Sequence, residues 1–183
     1  MVGHSMPFDL LRMGRIVSLA MLSFSVACSS GQEDADPPPV LAFEAARLRL
    51  ITGADTTRLL VELARSPEQR ALGLMERRHL PDSAGMLFLY SADQPSSAAF
   101  WMFRTRISLD IAFADSLGSI RAIQHMVPCT TSLAQGCPSY PPGVPYRTAL
   151  EVNAGYFARH RIALGSRIAF VDTVRQVSGQ ARR

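Results

Sequence analysis

Apolar and polar positions alternate along most of the chain, and the period predicts strands more often than helices. TRLLVELARS, residues 57–66, has the Leu and Val content of a strand. AFEAARLRLIT before it, across the turn GADT, is ambiguous between strand and helix, because Ala and Leu suit helices. SPEQRALGLMERRHL carries a helix signature: Ser66 as N-cap, Pro67 at the first helical position and Gln69 three residues after the cap. On that helix Leu72 and Met75 should face the core, Arg70 and Arg77 should share a face, and Pro81 should end it. Arg70 and Arg77 are then either a solvated face or an anion clamp.

Downstream, AGMLFLYS reads as a buried strand, and AAFWMFRT with SLDIAFAD reads as a hairpin whose first strand is central. Period two puts Phe100, Met102 and Arg104 on one face and Trp101, Phe103 and Thr105 on the other. Leu109, Ile111 and Phe113 share a face, and Asp110 opposes them with two alanines. A carboxylate in an apolar run needs a partner, and Arg104 or Arg106 is the expected one. SIRAIQHMVP is a further alternating strand. YRTALEVNAG sets Leu150 and Val152 against Glu151 and Asn153, YFARH forms a helical turn, and SRIAFVDT closes the sheet. The fold class expected is α+β and β-rich: one compact domain over 41–173 with a mostly antiparallel, barrel-like or strongly curved sheet and one or two short helices.

The N-terminal segment changes the picture of location. Arg12 and Arg15 precede an apolar run from Ile16 to Ala27, too short to cross a bilayer as a helix, and small residues lead to Cys28. The layout resembles a bacterial lipoprotein signal over 1–27, with Ser25 where a Leu is usual. It implies an exported protein held to a bacterial membrane by a lipid on Cys28 and facing the periplasm, with Ser29 resembling outer-membrane sorting. An ordinary cleaved signal and an uncleaved anchor are the alternatives. Residues 28–40, acidic and then rich in proline, form a tether, and 174–183 a flexible tail.

Composition narrows the function. The chain has 183 residues, 48% hydrophobic and 19% charged, enough to bury a core. Its net charge is +4, every basic residue is Arg, and these are scattered, which argues against nucleic acid as a partner. No nucleophile–base set, phosphate loop or metal spacing is legible, and no cofactor is expected. Cys129 and Cys137, eight apart in a Pro-rich loop of an exported protein, are expected to form a disulfide; a soft-metal site with His125 is the alternative. Met75, Met86, Met102 and Met126 are either core filler or thioether copper ligands.

VELARSPEQRALGLMERRHLPDSAGMLFLY, FWMFRT, LDIAF, HMVPC, CPSYPP and ALEVNAGYFARHRIALGSRI together resemble the bacterial and archaeal family called domain of unknown function 192, from about Val61 to Val171. The resemblance implies a small β-rich domain with short helices, often exported, and no established activity. Trp101, Thr105, Asp110, Glu151 and Asn153 fall on matching positions, whereas Phe103, Arg104 and Ser108 depart from the family's basic residue, Asn and Pro. The expected function is a non-enzymatic binding or interaction module, its ligand a small molecule, glycan or envelope protein. Its candidate site is Arg70, Trp101, Asp110, Glu151 and Asn153. The rivals are an enzyme using Asp110 and Glu151 as an acid–base pair on an envelope glycan, and a purely structural envelope protein.

Overall fold

A computed structural model describes residues 41–174. The signal-like segment, Cys28 and the tether lie outside the described residues, as does the tail beyond Val174. In chain order the elements are β1 (Glu44–Thr52), β2 (Asp55–Ala64), α1 (Pro67–Leu72), β3 (Ala84–Gln94), β4 (Phe100–Trp101), β5 (Leu109–Ala114), β6 (Ile120–Met126), β7 (Ser139–Tyr140), β8 (Tyr146–Asn153), α2 (Tyr156–Arg159) and β9 (Arg167–Val174).

Seven strands form one sheet in the order β6-β5-β8-β3-β2-β1-β9, and β4 pairs with β7 in a separate ribbon. The sheet is mixed: β2 and β3 run parallel, with Val61 opposite Gly85 and Leu63 opposite Leu87. The other five pairings are antiparallel, so the sheet is mostly antiparallel as expected, with this pair the exception. The physical reason is the long crossover through α1, which returns the chain to the start of the sheet before β3 begins. The barrel-like expectation needs correcting. The sheet does not close, but its outer strands touch at one end, where Ile120 N–H donates to the Ser166 carbonyl (2.8 Å) and Ile168 N–H to that of Gly118 (2.8 Å). Gly118 permits the contact: its φ is +78°, and a Cβ there would lie 2.3 Å from the Ile168 carbonyl oxygen.

Alternation along the strands sends apolar side chains to both faces. One core packs Leu48, Leu50, Val61, Leu63, Leu150, Val152 and Ile168 beneath Tyr156 and Phe157 of α2. The other packs Met86, Phe88, Ile111, Phe113 and Met126 beneath Leu74, Leu80, Phe100 and Met102, which come from the segments covering that face. Each fully buried side chain of this size contributes roughly 1.5–3 kcal/mol.

Three local expectations change. The ambiguous segment 42–52 is strand β1, paired with β2 through the turn at Gly53 and Ala54. The first helix has the predicted capping box, but it ends at Gly73, φ +49°, rather than at Pro81. A left-handed step at glycine turns the chain so that Leu74, not Met75, enters the core. The predicted 98–115 hairpin does not form. β4 is two residues long and pairs with β7, while β5 pairs with β6 and β8. Phe100 and Met102 leave the sheet in order to pack down on it.

Candidate functional site

The alternation read in FWMF survives in β4 and the residues after it. Phe100 packs edge-on against Phe88 (4.9 Å between centroids) and Phe113 (5.5 Å), and Met102 is buried. Trp101 points the other way. It is 50% exposed, with the Phe103 ring beside it at 5.9 Å. The downstream loop holds this segment: Trp101 pairs with Ser139, Phe100 with Tyr140, and Cys129 bridges to both Phe103 and Thr105. The disulfide Cys129–Cys137 ties that loop to itself, so these cysteines are not metal ligands. Among the described residues no three His, Cys, Asp or Glu side chains are grouped to hold a metal. Met86, Met102 and Met126 are packed core, and Met75 lies outside that cluster.

Arg104 and Arg106 do not pair with Asp110. Their Nε atoms donate to the two oxygens of Glu76, at 2.7 and 2.6 Å, and the Glu76 N–H donates to the Arg104 carbonyl (2.8 Å). The side-chain hydrogen bonds from Arg104 and then Arg106 hold the Glu76 carboxyl below its usual range. Both Glu76 (φ +61°) and Arg104 (φ +57°) adopt the left-handed conformation, and their mutual bonds offset that strain. Nothing in the sequence links Glu76 to residues 28 and 30 positions away.

Asp110 is 8% exposed and finds its partners elsewhere: Oδ1 lies 2.9 Å from His125 Nδ1, and Oδ2 accepts the Gly155 N–H at 2.8 Å. The β5–β6 register puts His125 directly opposite Asp110. Glu151 sits in the central strand β8, opposite Met86 on one side and Ile111 on the other. It is 4% exposed, and burial alone pushes its carboxyl up to about 8. Every fully buried side-chain oxygen among the described residues has a partner. Glu151 makes no side-chain hydrogen bond among the described residues.

Strand parity decides which predicted site residues meet. Asp110 shares its face with Ala112 and Ala114 in the first core, whereas Glu151 shares its face with Ala149 in the second. The sheet therefore separates the two carboxyls. Asn153 donates from Nδ2 to the carbonyls of Leu80 (2.9 Å) and Pro81 (3.3 Å), pinning the covering segment. Arg70 donates to the carbonyls of Arg65 and Leu89 and lies 4.7 Å over the Tyr90 ring. Arg77, beyond the end of α1, pairs with Glu62 instead of sharing a face with Arg70. Of the five candidates, Trp101 is the exposed one, and Glu151 is the one that makes no side-chain contact of these kinds among the described residues.

No curated protein matches the chain. Two solved structures resemble it closely. One is a candidate transcription regulator from Sinorhizobium meliloti 1021, 34% identical, covering 72% of this chain and 98% of its own, with a TM-score of 0.64. The other is a protein of unknown function from Novosphingobium aromaticivorans DSM 12444, 31% identical, covering 74% of this chain and 94% of its own, with a TM-score of 0.63. Residues 49–170 match the family profile DUF192, described as an uncharacterized ACR. The chain belongs to the domain of unknown function 192 family.

Proposed function

We propose that this chain is a non-enzymatic binding module of the cell envelope, tethered through a lipid on Cys28, which presents Trp101 and Phe103 to a sugar ring. One observation carries the reading. Trp101 is held half exposed while its neighbours Phe100 and Met102 are locked into the core. A flat aromatic face fixed by flanking anchors loses little entropy when a ring stacks on it. Export and lipidation rest on the Arg12–Cys28 pattern. Seven arginines are already tied to acids (Arg47, Arg65, Arg77, Arg104, Arg106, Arg121 and Arg147), which favours a partner other than nucleic acid. An acid–base pair of Asp110 and Glu151 finds no support, because glycosidase carboxyls flank one bond and these stand on opposite faces of a sheet.

The test uses residues 40–183, since the match to this domain covers 98% of the Sinorhizobium chain, whose crystal structure contains little else. Trp101, the only tryptophan, should emit red-shifted light that acrylamide quenches, and envelope oligosaccharides should shift it saturably. Trp101→Ala should weaken that binding more than tenfold by calorimetry and leave the circular dichroism unchanged. A blue-shifted, shielded emission with no response to sugars would remove the reading.

A further inference from the structure

The unclosed seam of the sheet holds a cavity. The outer strands β6 and β9 meet around Gly118–Ile120 and Ser166–Ile168, and beside that contact lies a space of about 380 Å³. Small-molecule sites run from about 300 to 1,000 Å³ and favour the mouths of barrels. Leu48, Leu87, Leu89 and Ile168 give the space an aliphatic lining, and strand parity puts them on the face of the first core. Tyr156 and Phe157 of α2 cover that face but do not line the cavity. Its rim includes the exposed side chains of Leu117 and Phe170, so it opens to solvent. Phe100 and Met102 pack on the opposite face, which separates the cavity from the aromatic surface at Trp101.

Two charged side chains line the cavity, Arg65 and Asp115, and each has bonding capacity left. Arg65 donates from Nε to Glu44 at 3.1 Å, and its two Nη atoms have no partner among the described residues. Asp115 Oδ1 accepts the N–H groups of Leu117 (3.0 Å) and Ser119 (2.9 Å), which fixes the β5–β6 turn. Its Oδ2 has only Arg121, at 3.7 Å, too far for a hydrogen bond. The charges sort the ligands. A plain anion would suit Arg65 but meet Asp115 and Glu44 uncompensated, and a plain cation would meet Arg65 and Arg121. A wholly apolar molecule would displace water from both charges and replace none of its hydrogen bonds. A sugar would bring many hydroxyls to a lining whose uncharged polar side chains are Ser116 and Thr148. The match is a dipolar, net-neutral molecule with an aliphatic part. The volume equals that of roughly a dozen waters, which suits a molecule of about that many non-hydrogen atoms and is too small for an oligosaccharide.

We propose that this cavity binds a free α-amino acid with a branched aliphatic side chain. The Arg65 guanidinium takes its carboxylate, Asp115 Oδ2 takes its ammonium, and its side chain lies among Leu48, Leu87, Leu89 and Ile168. The site is independent of the aromatic surface at Trp101 and stands or falls apart from the glycan reading.

The experiment titrates residues 40–183 with leucine, with 4-methylpentanoate, which lacks the ammonium, and with 3-methylbutylamine, which lacks the carboxylate. Calorimetry and saturation-transfer NMR give the affinities. Leucine should bind saturably, and each analogue should bind about tenfold more weakly, the usual loss when a hydrogen bond to a charged group goes. Arg65→Gln should weaken leucine about tenfold and leave the amine unchanged. Asp115→Asn, which keeps an oxygen for the turn, should weaken leucine likewise and leave 4-methylpentanoate unchanged or tighter. Both variants change exposed or half-buried positions and should keep a native circular dichroism. Trp101 emission should not respond to leucine. Equal affinity for leucine and 4-methylpentanoate would overturn the proposal in favour of a simple apolar acid. Leucine binding that shifts Trp101 emission and is lost in Trp101→Ala would also overturn it, by moving the ligand to the aromatic surface. No saturable binding of leucine, isoleucine or valine up to about 10 mM, an order of magnitude above a millimolar Kd, would remove the site and leave the glycan reading untouched.

Discussion

Asp110 and Glu151 occupy neighbouring strands of one sheet and are about equally buried, yet the protein treats them in opposite ways. Asp110 is fully used: a backbone N–H from Gly155 and the His125 ring satisfy its two oxygens. Glu151 is unused: apolar neighbours lie on both sides, and burial drives its carboxyl up to about 8. A one-residue difference in parity separates these fates. It sends Asp110 toward the turn at α2 and Glu151 toward the face beneath the covering segments. Burial of a carboxyl is thus not by itself a sign of function. A buried carboxyl with partners fastens the fold, and one without partners is available to something else.

The largest effect expected from breaking this contrast is at Glu151. Its folded value of about 8 stands above the ordinary 4.5, so the folded protein binds the proton more tightly than the unfolded chain. The stability this confers is fully present below pH 4.5 and is lost as pH rises toward 8, amounting to about 3 kcal/mol by neutral pH. Glu151→Gln should therefore flatten the alkaline side of the stability curve. It should stabilise the domain by about 3 kcal/mol at pH 7 relative to the wild type, measured by urea unfolding at several pH values. Equal pH dependence in the two proteins would show that Glu151 is not the destabilised group.

The converse change is Asp110→Ala, which strands the Gly155 N–H and frees His125. It should cost about 1–3 kcal/mol in the same assay, the usual penalty for removing a buried acceptor. It should also raise hydrogen exchange at Gly155, the N-cap of α2. A loss confined to stability, with no change in exchange there, would mean that Asp110 does not fasten that turn.

The sequence exposes half of this contrast and hides the rest for a definite reason. The strands β2, β3, β6, β8 and β9, the capping box at Ser66 and the Phe100–Phe103 alternation are all written in residues close together, so local periodicity recovers them. The partners of Asp110 depend on the β5–β6 register and on a turn 45 residues away, which no local pattern encodes. The nearby Arg104 and Arg106 were therefore the natural but mistaken choice, since Glu76 claims both. The false hairpin has the same origin: FW finds its pairing partner in Ser139 and Tyr140, beyond two intervening strands. Glu151 stood out in the sequence only as a polar position in an apolar strand. Its lack of a partner is a property of the assembled sheet face.

The smallest expected effect is at His125, and it sharpens the contrast most finely. The imidazole lies 2.9 Å from Asp110, but its side chain is 56% exposed, whereas that of Asp110 is 11% exposed. An interaction with one end in water contributes little, typically below about 1 kcal/mol. The Gly155 N–H, by contrast, binds the other oxygen of the well-buried Asp110 carboxyl and belongs to a half-buried turn. His125→Ala should therefore cost less than about 1 kcal/mol, and Asp110→Ala should cost nearly as much in the His125→Ala background as in the wild type. Such a double-mutant cycle, read by thermal or urea unfolding, would place the work of Asp110 on the backbone contact. A coupling energy that accounted for most of the Asp110→Ala loss would instead make the Asp110–His125 pair the fastening. Asp110 would then depend on a solvent-exposed partner, and its difference from Glu151 would narrow to the presence of one surface imidazole.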